Sequence, residues 1–423
     1  MSLKTVCRAC VAGLLSWSVP ASAQSATDEQ AHEHPAAPEP AWHLMQDGVI
    51  YGLFNHQGGP RGGREFVVPN WWMGMWMRAN GPHQFGISAM VSLDPATVGD
   101  NGYGEIFQVG EVFEGKPLID RQHPHDFLMQ LSASWRRSVG SAEIVIAGGI
   151  VGEPTLGPVA FMHRSSAAGL PLAPLGHHTF DSTHISFGVV TAAIERGRWT
   201  IEGSVFNGRE PDERRWNVEF APLDSVAGRL WYKPSPEWAF QVSSGRLEEP
   251  EELVPGDAVR TTASGSWFRQ REQDLRAVTV GYGVNSAHGE RRHGVFGEFT
   301  MERGSNAVSA RLESQQVETD LLISGEIPHE HHESKAPATV VAFTAGAARR
   351  LVIWRGFEGA IGALATFYRT PSALRVTHGE SPVSYQVFLR LRLPTGPMGR
   401  MWNMVMSQGP RMGGAGHPGH AVR

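Results

Sequence analysis

The sequence predicts an all-β fold, a transmembrane antiparallel β-barrel of about 16 strands (14–18) with long extracellular loops partly folded into the lumen. Three observations carry that prediction. Side-chain character alternates with a period of two along most of the chain. After the N-terminal leader, no apolar stretch reaches the ~20 residues that a membrane-spanning helix needs. Short and long connections alternate between the strand-like segments, as they do when turns lie on one side of a membrane and loops on the other.

The leader comes first. Lys4 and Arg8 give a short basic region, Ala9 to Val19 is apolar, and Ala21-Ser22-Ala23 fits a small-x-small cleavage site. Residues 1–23 therefore read as a signal peptide cleaved near Ala23; the alternative is a retained anchor, for which the apolar run is short. Residues 24–45 read as a periplasmic N-terminal segment, 46–394 as the outer-membrane barrel and 395–423 as a Met/His/Gly-rich periplasmic tail. Both cysteines, Cys7 and Cys10, lie in the leader, so the mature chain has neither disulfides nor thiolate metal ligands. A net charge of −5 and a pI near 6.4, without a dense basic patch, argue against a nucleic-acid partner.

The strands follow. In Val383 to Leu393, Val383, Tyr385, Val387, Leu389, Leu391 and Leu393 share one face. Ser384, Gln386, Arg390 and Arg392 share the other, with Phe388 the exception. Strand centres fall at Tyr51, Met75, Ser88, Leu131, Val145, Val189, Ser204, Leu230, Val242, Ser266, Val280, Glu298, Ala310, Thr344, Gly362 and Phe388. Each segment approaches the ~9–11 residues of a tilted membrane strand. Short turns are expected at Ala79–His83, Arg137–Ala142, Glu195–Trp199, Lys233–Trp238, Gln270–Asp274, Glu302–Asn306 and Arg349–Arg355. Long loops are expected at Asp94–His125, Gly152–Thr183, Asn207–Leu223, Ser314–Ala338 and Thr370–Ser381. This alternation places both chain ends on the short-turn, periplasmic side. No 40–50-residue repeat suggests a propeller.

Chemistry concentrates in the loops and the ends. Asp120, Arg121, Asp126, Arg164, Asp181, Arg209, Glu210 and Asp212 are candidates for a constriction in which facing charges act on solutes. The competing reading is that they staple the loops by salt bridges. His123, His125, His163, His177, His178 and His184 are candidate ligands for a divalent metal, against a reading as hydrogen-bonded loop histidines. His329, His331 and His332 form a further cluster in a long loop. Met401, Met404, Met406, His417 and His420 in the tail suit monovalent copper or silver; five of the 14 methionines lie in the last 26 residues. The alternatives there are a disordered tail, or methionines and Trp402 packing under the barrel. Met73, Met75 and Met77 alternate on one strand face and read as core or lipid-facing packing. Ser182 and His184 beside Asp181 have the residue types of a hydrolase, without a recognisable nucleophile motif.

Leu118–Asp126, Gly152–Arg164, Gly176–Ala192 and Phe206–Trp216 resemble a family of uncharacterised proteobacterial outer-membrane β-barrel proteins. The resemblance covers the first half of the barrel. It implies a porin-like protein associated with metal resistance and identifies no catalytic residue. The function expected is a porin-like channel or a copper- or silver-associated outer-membrane protein, not an enzyme. The alternatives are a plugged surface-binding or structural barrel, then an outer-membrane hydrolase. No cofactor is required, although a Cu or Ag ion fits the donors. Expected partners are outer-membrane lipid, the barrel-assembly machinery, small solutes or metal ions, and further copies of the chain.

Overall fold

The structure, a computed structural model, describes residues 41–109, 111–252, 256–271, 274–287, 289–324, 337–395 and 399–412. Its strands form one closed antiparallel sheet. In order they are β1 (His43–Gln57), β2 (in two pieces, Gly63–Val67 and Asn70–Asn80), β3 (His83–Val91), β4 (Leu128–Val139) and β5 (Ala142–Gly152). Then come β6 (Ser186–Arg196), β7 (Trp199–Phe206), β8 (Ser225–Ser235), β9 (Trp238–Leu247), β10 (Ala258–Arg271) and β11 (Asp274–Ala287). The last are β12 (Glu290–Arg303), β13 (Asn306–Val317), β14 (Ala338–Trp354), β15 (Phe357–Arg369) and β16 (Val383–Arg392). The sheet has 17 segments, but the two pieces of β2 lie end to end along β1, which makes 16 strands around the barrel. Pairing of β1 with β16, from Val49↔Arg392 to His56↔Tyr385, closes it. Closure leaves no sheet edge, the condition for a sheet to cross hydrocarbon.

The alternation in sequence is the alternation in space. On β7, Thr200 and Glu202 are 6% and 3% exposed, whereas Ile201 between them is 65% exposed. Ile201, Val205, Leu230, Val242, Val280, Leu312 and Leu389 all point outward, giving an apolar belt suited to lipid. Trp199, Trp238 and Trp354 are exposed near the short turns and mark an aromatic girdle at that rim. The exception on β16 is explained: Phe388 points inward and meets the Tyr51 ring edge-on at 5.6 Å.

Each of the 16 expected strand centres falls within a strand. Three boundaries differ. β1 starts at His43, so residues 43–45 belong to the barrel and not to the N-terminal segment. The turn placed at Arg349–Arg355 is only Arg355-Gly356, because β14 runs through Trp354 with an irregularity at Arg350/Val352. Residues 399–412 of the expected tail turn back against the inner wall. Arg400 pairs with Asp47 of β1 at 2.7 Å, and Arg411 pairs with Glu195 of β6 at 2.6 Å. The leader, His329–His332, His417 and His420 lie outside the described residues.

Candidate functional site

A barrel of this strand number is too wide for wall side chains alone to fill. Here two inserts fill it. The first is the loop 153–185 between β5 and β6. Pro154, Pro158, Pro171 and Pro174 prevent it from continuing as a strand. It folds instead into short helical turns at Phe161–His163, Ser165–Ala167, His177–Phe180 and Ser182–His184. Gly157 turns the chain at φ +88°, and a Cβ there would stand 2.1 Å from the Phe180 carbonyl oxygen.

This loop is fastened around the circumference. Its Thr155 and Gly157 amides donate to Ser204 Oγ on β7 and Ser243 Oγ on β9 at 2.8 and 2.9 Å. Thr300 on β12 donates to the Ser166 carbonyl at 2.7 Å, and Arg392 on β16 donates to that of Ala168 at 2.9 Å. Asn285 on β11 donates to the His178 carbonyl at 3.0 Å. At its centre Arg164, 1% exposed, bonds Asp181 at 3.0 Å and Glu298 on β12 at 2.9 and 3.0 Å. Arg311 on β13 completes the network by donating to Glu298 at 2.9 Å. Burial alone would push Asp181 up. Arg164 and His177 overcome that and hold its carboxyl well below the usual range.

The second insert is the segment 399–412. The Asn403 amide donates to the His163 carbonyl at 2.8 Å, and Ser165 donates to Asn403 Oδ1 at 3.1 Å. Ser407 hydrogen-bonds Glu202 of β7. Gln84 on β3 donates to the Pro410 carbonyl at 2.8 Å and accepts from the Met412 amide at 2.9 Å. Between the inserts remains a cavity of about 60 Å³, lined by Asp47, Trp71, Phe161, Arg392, Arg400 and Trp402 among others.

The candidate constriction residues therefore divide. Arg164 and Asp181 meet inside the barrel. Asp126 is buried against Arg215 at 3.4 Å, and Asp120 accepts from the His378 ring at 2.9 Å. Arg121 pairs with Glu65 at 3.1 Å, Arg209 with Asp224 at 3.0 Å, and Glu210 with His178 at 3.2 Å. The Asp212 amide donates to Glu219 at 3.1 Å. These contacts have the stapling geometry. All but the Asp212 contact bring an acid to a basic side chain at 2.9–3.5 Å.

Five of the six loop histidines come together. Ring centroids lie 6.4 Å apart for His123–His177, 5.8 Å for His125–His184, 5.4 Å for His177–His178 and 5.3 Å for His177–His184. The Phe161 ring occupies their middle, 5.5 Å from His177 and 6.3 Å from both His125 and His184. Nδ1 of His125 bonds Asp94 at 2.8 Å, that of His177 bonds Asp181 at 2.8 Å, and that of His184 bonds its own turn at 2.8 Å. Accordingly, among the described residues no three His, Cys, Asp or Glu side chains converge to hold a metal ion. Burial holds His177 below its ordinary value and His123 and His184 well below it; neighbouring cations add to the effect at His123 and His184. His163 stands apart, edge-on to Trp71 at 5.2 Å, and burial lowers it to about 4. The hydrolase residues do not pair: Ser182 Oγ accepts from Arg260 at 2.9 Å, while His184 turns to the Asp181 carbonyl.

Of the two packing readings the sequence left for the methionine stripe, core or lipid-facing, the structure shows core packing on the lumen side. Met73, Met75 and Met77 face the lumen, with Trp72 and Trp76 on the opposite face of the strand. Met45 on β1 lies across from Met75, and Met90 on β3 across from Met73. With Met129 and Met401 they form a buried cluster, against which Met162, Met404 and Met412 pack. Met406 lies in a neighbouring cluster with Leu156 and Phe206. The alternation of Met73, Met75 and Met77 was visible, and the tryptophans between them were the signal for lipid. Wall charges such as Glu202, Arg229, Glu298 and Arg311 were missed, although each occupies an inward position of its strand.

No protein-family model matches the sequence, and no curated relative does. Among solved structures, the chain is similar to OprB of Pseudomonas putida. That match has a TM-score of 0.50 and 8% identity, over 83% of this chain and 93% of the other. The anion-selective porin from Comamonas acidovorans gives a TM-score of 0.49 at 10% identity, covering 84% and 100%. OmpF of Salmonella typhi gives 0.48 at 8% identity, covering 83% and 97%. At these identities the similarity is one of fold: the chain is a closed 16-stranded antiparallel β-barrel.

Proposed function

We propose that this protein is a porin-type conduit of the Gram-negative outer membrane, closed at rest by its own loop 153–185 and segment 399–412. Small solutes or ions would pass when the C-terminal segment moves aside. The observation that carries this reading is the contrast between wall and contents. The wall carries polar and charged residues on most of its inward faces, the methionine face of β2 excepted, yet Arg164 at its centre is 1% exposed. A purely structural barrel would have no need to bury so many charges at the cost of desolvation. The C-terminal segment is taken as the movable part because its middle is held by thioether packing and by hydrogen bonds such as those of Asn403 with Ser165 and of Gln84 with Pro410.

The test is conductance in planar bilayers of the full-length protein against a chain truncated after Pro394. The expected result is brief, low-conductance openings in the full chain and a several-fold larger, persistent conductance after truncation. Open-porin conductance in the full chain would overturn the closed resting state. Silence in both would leave the plugged binding or structural barrel. Metal association, the other part of the expected function, is better supported by the lumenal thioethers than by the histidines, whose centre is filled by Phe161.

A further inference from the structure

The histidines were the obvious candidate ligands, but a different donor set surrounds an opening in the wall of the C-terminal insert. A cavity of about 20 Å³ lies between strands β2 to β5 and the segment 399–412, enough for one water-sized occupant. Three thioether side chains line it: Met75 and Met77 from β2, and Met406 from the insert. Ser88, Ser132 and Ser407 contribute to the rest of its wall.

Packing alone does not account for this arrangement. Methionine fills irregular gaps well because it is unbranched and pliable. A gap filled for packing would be dry and closed. This one is left open, and the methionines share it with hydroxyls. We propose that the cavity is a binding site for one soft monovalent cation, Cu(I) or Ag(I), held by Met75, Met77 and Met406. Thioethers select such ions over zinc, calcium and magnesium, and they bind without losing a proton. The proposal deepens the metal part of the function and rests on that reading. It does not depend on the pore opening.

The charges around the cavity permit a cation. Arg136 also lines it, but its guanidinium is occupied by Glu143 at 2.6 Å and Glu195 at 2.9 Å. Arg411 approaches the same two carboxylates, at 3.1 and 2.6 Å. Behind Ser407 stands Glu202, which pairs with Arg229 at 2.6 Å. Lys233 is a further cation in this group, bonded to Gln408 of the insert and drawn toward Glu195 and Glu202; each arginine nearest the cavity has a carboxylate partner. Met45, Met73, Met90 and Met129 continue the thioether surface beyond the cavity along adjacent strands. They give an entering ion successive soft contacts. Because Met406 belongs to the insert and Met75 and Met77 to the wall, a bound ion would also tie the insert down.

The experiment is equilibrium dialysis of the full-length protein in detergent against Ag(I) nitrate in chloride-free buffer. Retained metal would be counted, and the methionine methyl resonances followed by NMR. One Ag(I) per chain is expected, with a few methyl signals shifted. Met75→Leu/Met77→Leu and, separately, Met406→Leu should each weaken binding at least tenfold. Met301→Leu, on a side chain outside the cluster, should not change it. Leucine conserves volume and apolarity, so the barrel is retained; heat-modifiable migration on gels checks this for each variant. Retention unchanged in the Leu variants, or no Ag(I) retained at micromolar concentration, would overturn the site. Equal retention of Zn(II) would overturn its selectivity. A channel that conducts without binding Ag(I) would sink this site alone, and one that binds without conducting would sink the conduit alone.

Discussion

The two inserts occupy one lumen but are held by different physics. The loop 153–185 is bound covalently at both ends and fastened at its centre by a buried ion-pair network, Arg164 with Asp181 and Glu298. The segment 399–412 is held by neutral hydrogen bonds and thioether packing, with the buried pair of Arg400 and Asp47 near one end and the half-exposed Arg411 near the other. Buried charge contacts lock an arrangement, because breaking one partner leaves the other unpaired in a low dielectric. Packed methionines and neutral hydrogen bonds release at smaller cost. The difference suggests a fixed constriction beside a displaceable stopper.

The sharpest way to break that contrast is Arg164→Ala. It leaves Asp181 without its principal counter-charge and Glu298 with Arg311 alone, a loss of about 3–5 kcal/mol for a buried pair. Limited proteolysis should then cut within 153–185 in the variant and spare the wild type. If the loop stays resistant, its anchoring lies elsewhere. Next in size is Gly157→Ala. Its positive φ and the Phe180 carbonyl in the way predict a cost of about 1–3 kcal/mol, read as a lower unfolding temperature of the loop.

pH should act on the loop 153–185 in two opposite senses. His163 falls to about 4 in the folded protein, so between its unfolded pKa near 6.5 and that value the unfolded chain binds the extra proton. His177, His184 and His123 shift the same way. Their contribution is complete above about pH 6.5 and is lost on acidification, at about 1.4 kcal/mol per pH unit for each histidine within its window. Protection factors in 153–185, taken relative to the intrinsic exchange rate at each pH, should therefore fall on going from pH 7.5 to 5. Glu153 behaves oppositely. Burial raises it to about 7, against the pull of Arg229, and its carboxylate accepts from the Met406 amide at 3.4 Å. A carboxyl with a raised folded pKa favours the fold at low pH and loses that contribution as pH climbs from about 4.5 to 7. The Met406 amide favours the ionised carboxylate, so that contact strengthens as Glu153 ionises, and Glu153→Gln should remove the trend in stability. The smallest effect expected is that of Asn403→Ala, which removes the side-chain joint to Ser165. About 1 kcal/mol should be lost, seen as faster exchange at 399–412 with the loop unchanged.

How much of this was legible varies with the range of the interaction. All the strand centres were readable, because facing lipid or facing inward is set by neighbours one residue away. The loop residues Arg164 and Asp181 were readable as a pair of opposite charges; that Glu298 would meet them was not, since it lies 134 residues from Arg164. Six loop histidines were readable as candidate ligands or as hydrogen-bonded loop residues; that five of them would lie around Phe161 was not. Periodicity showed that Met73, Met75 and Met77 share a face, and their side of the wall followed only from closure of the sheet.

The sequence by itself determined the barrel: its strand number and its alternating turns and loops. Those properties depend on local period and on the need of every backbone group in lipid for a hydrogen bond. Only the tertiary structure decided what fills the lumen. Whether a tail hangs free or folds back depends on whether the inward faces of distant strands, Asp47, Glu202 and the methionines of β1 to β4, present partners for it. That complementarity is a property of the closed surface and has no counterpart in any short stretch of chain.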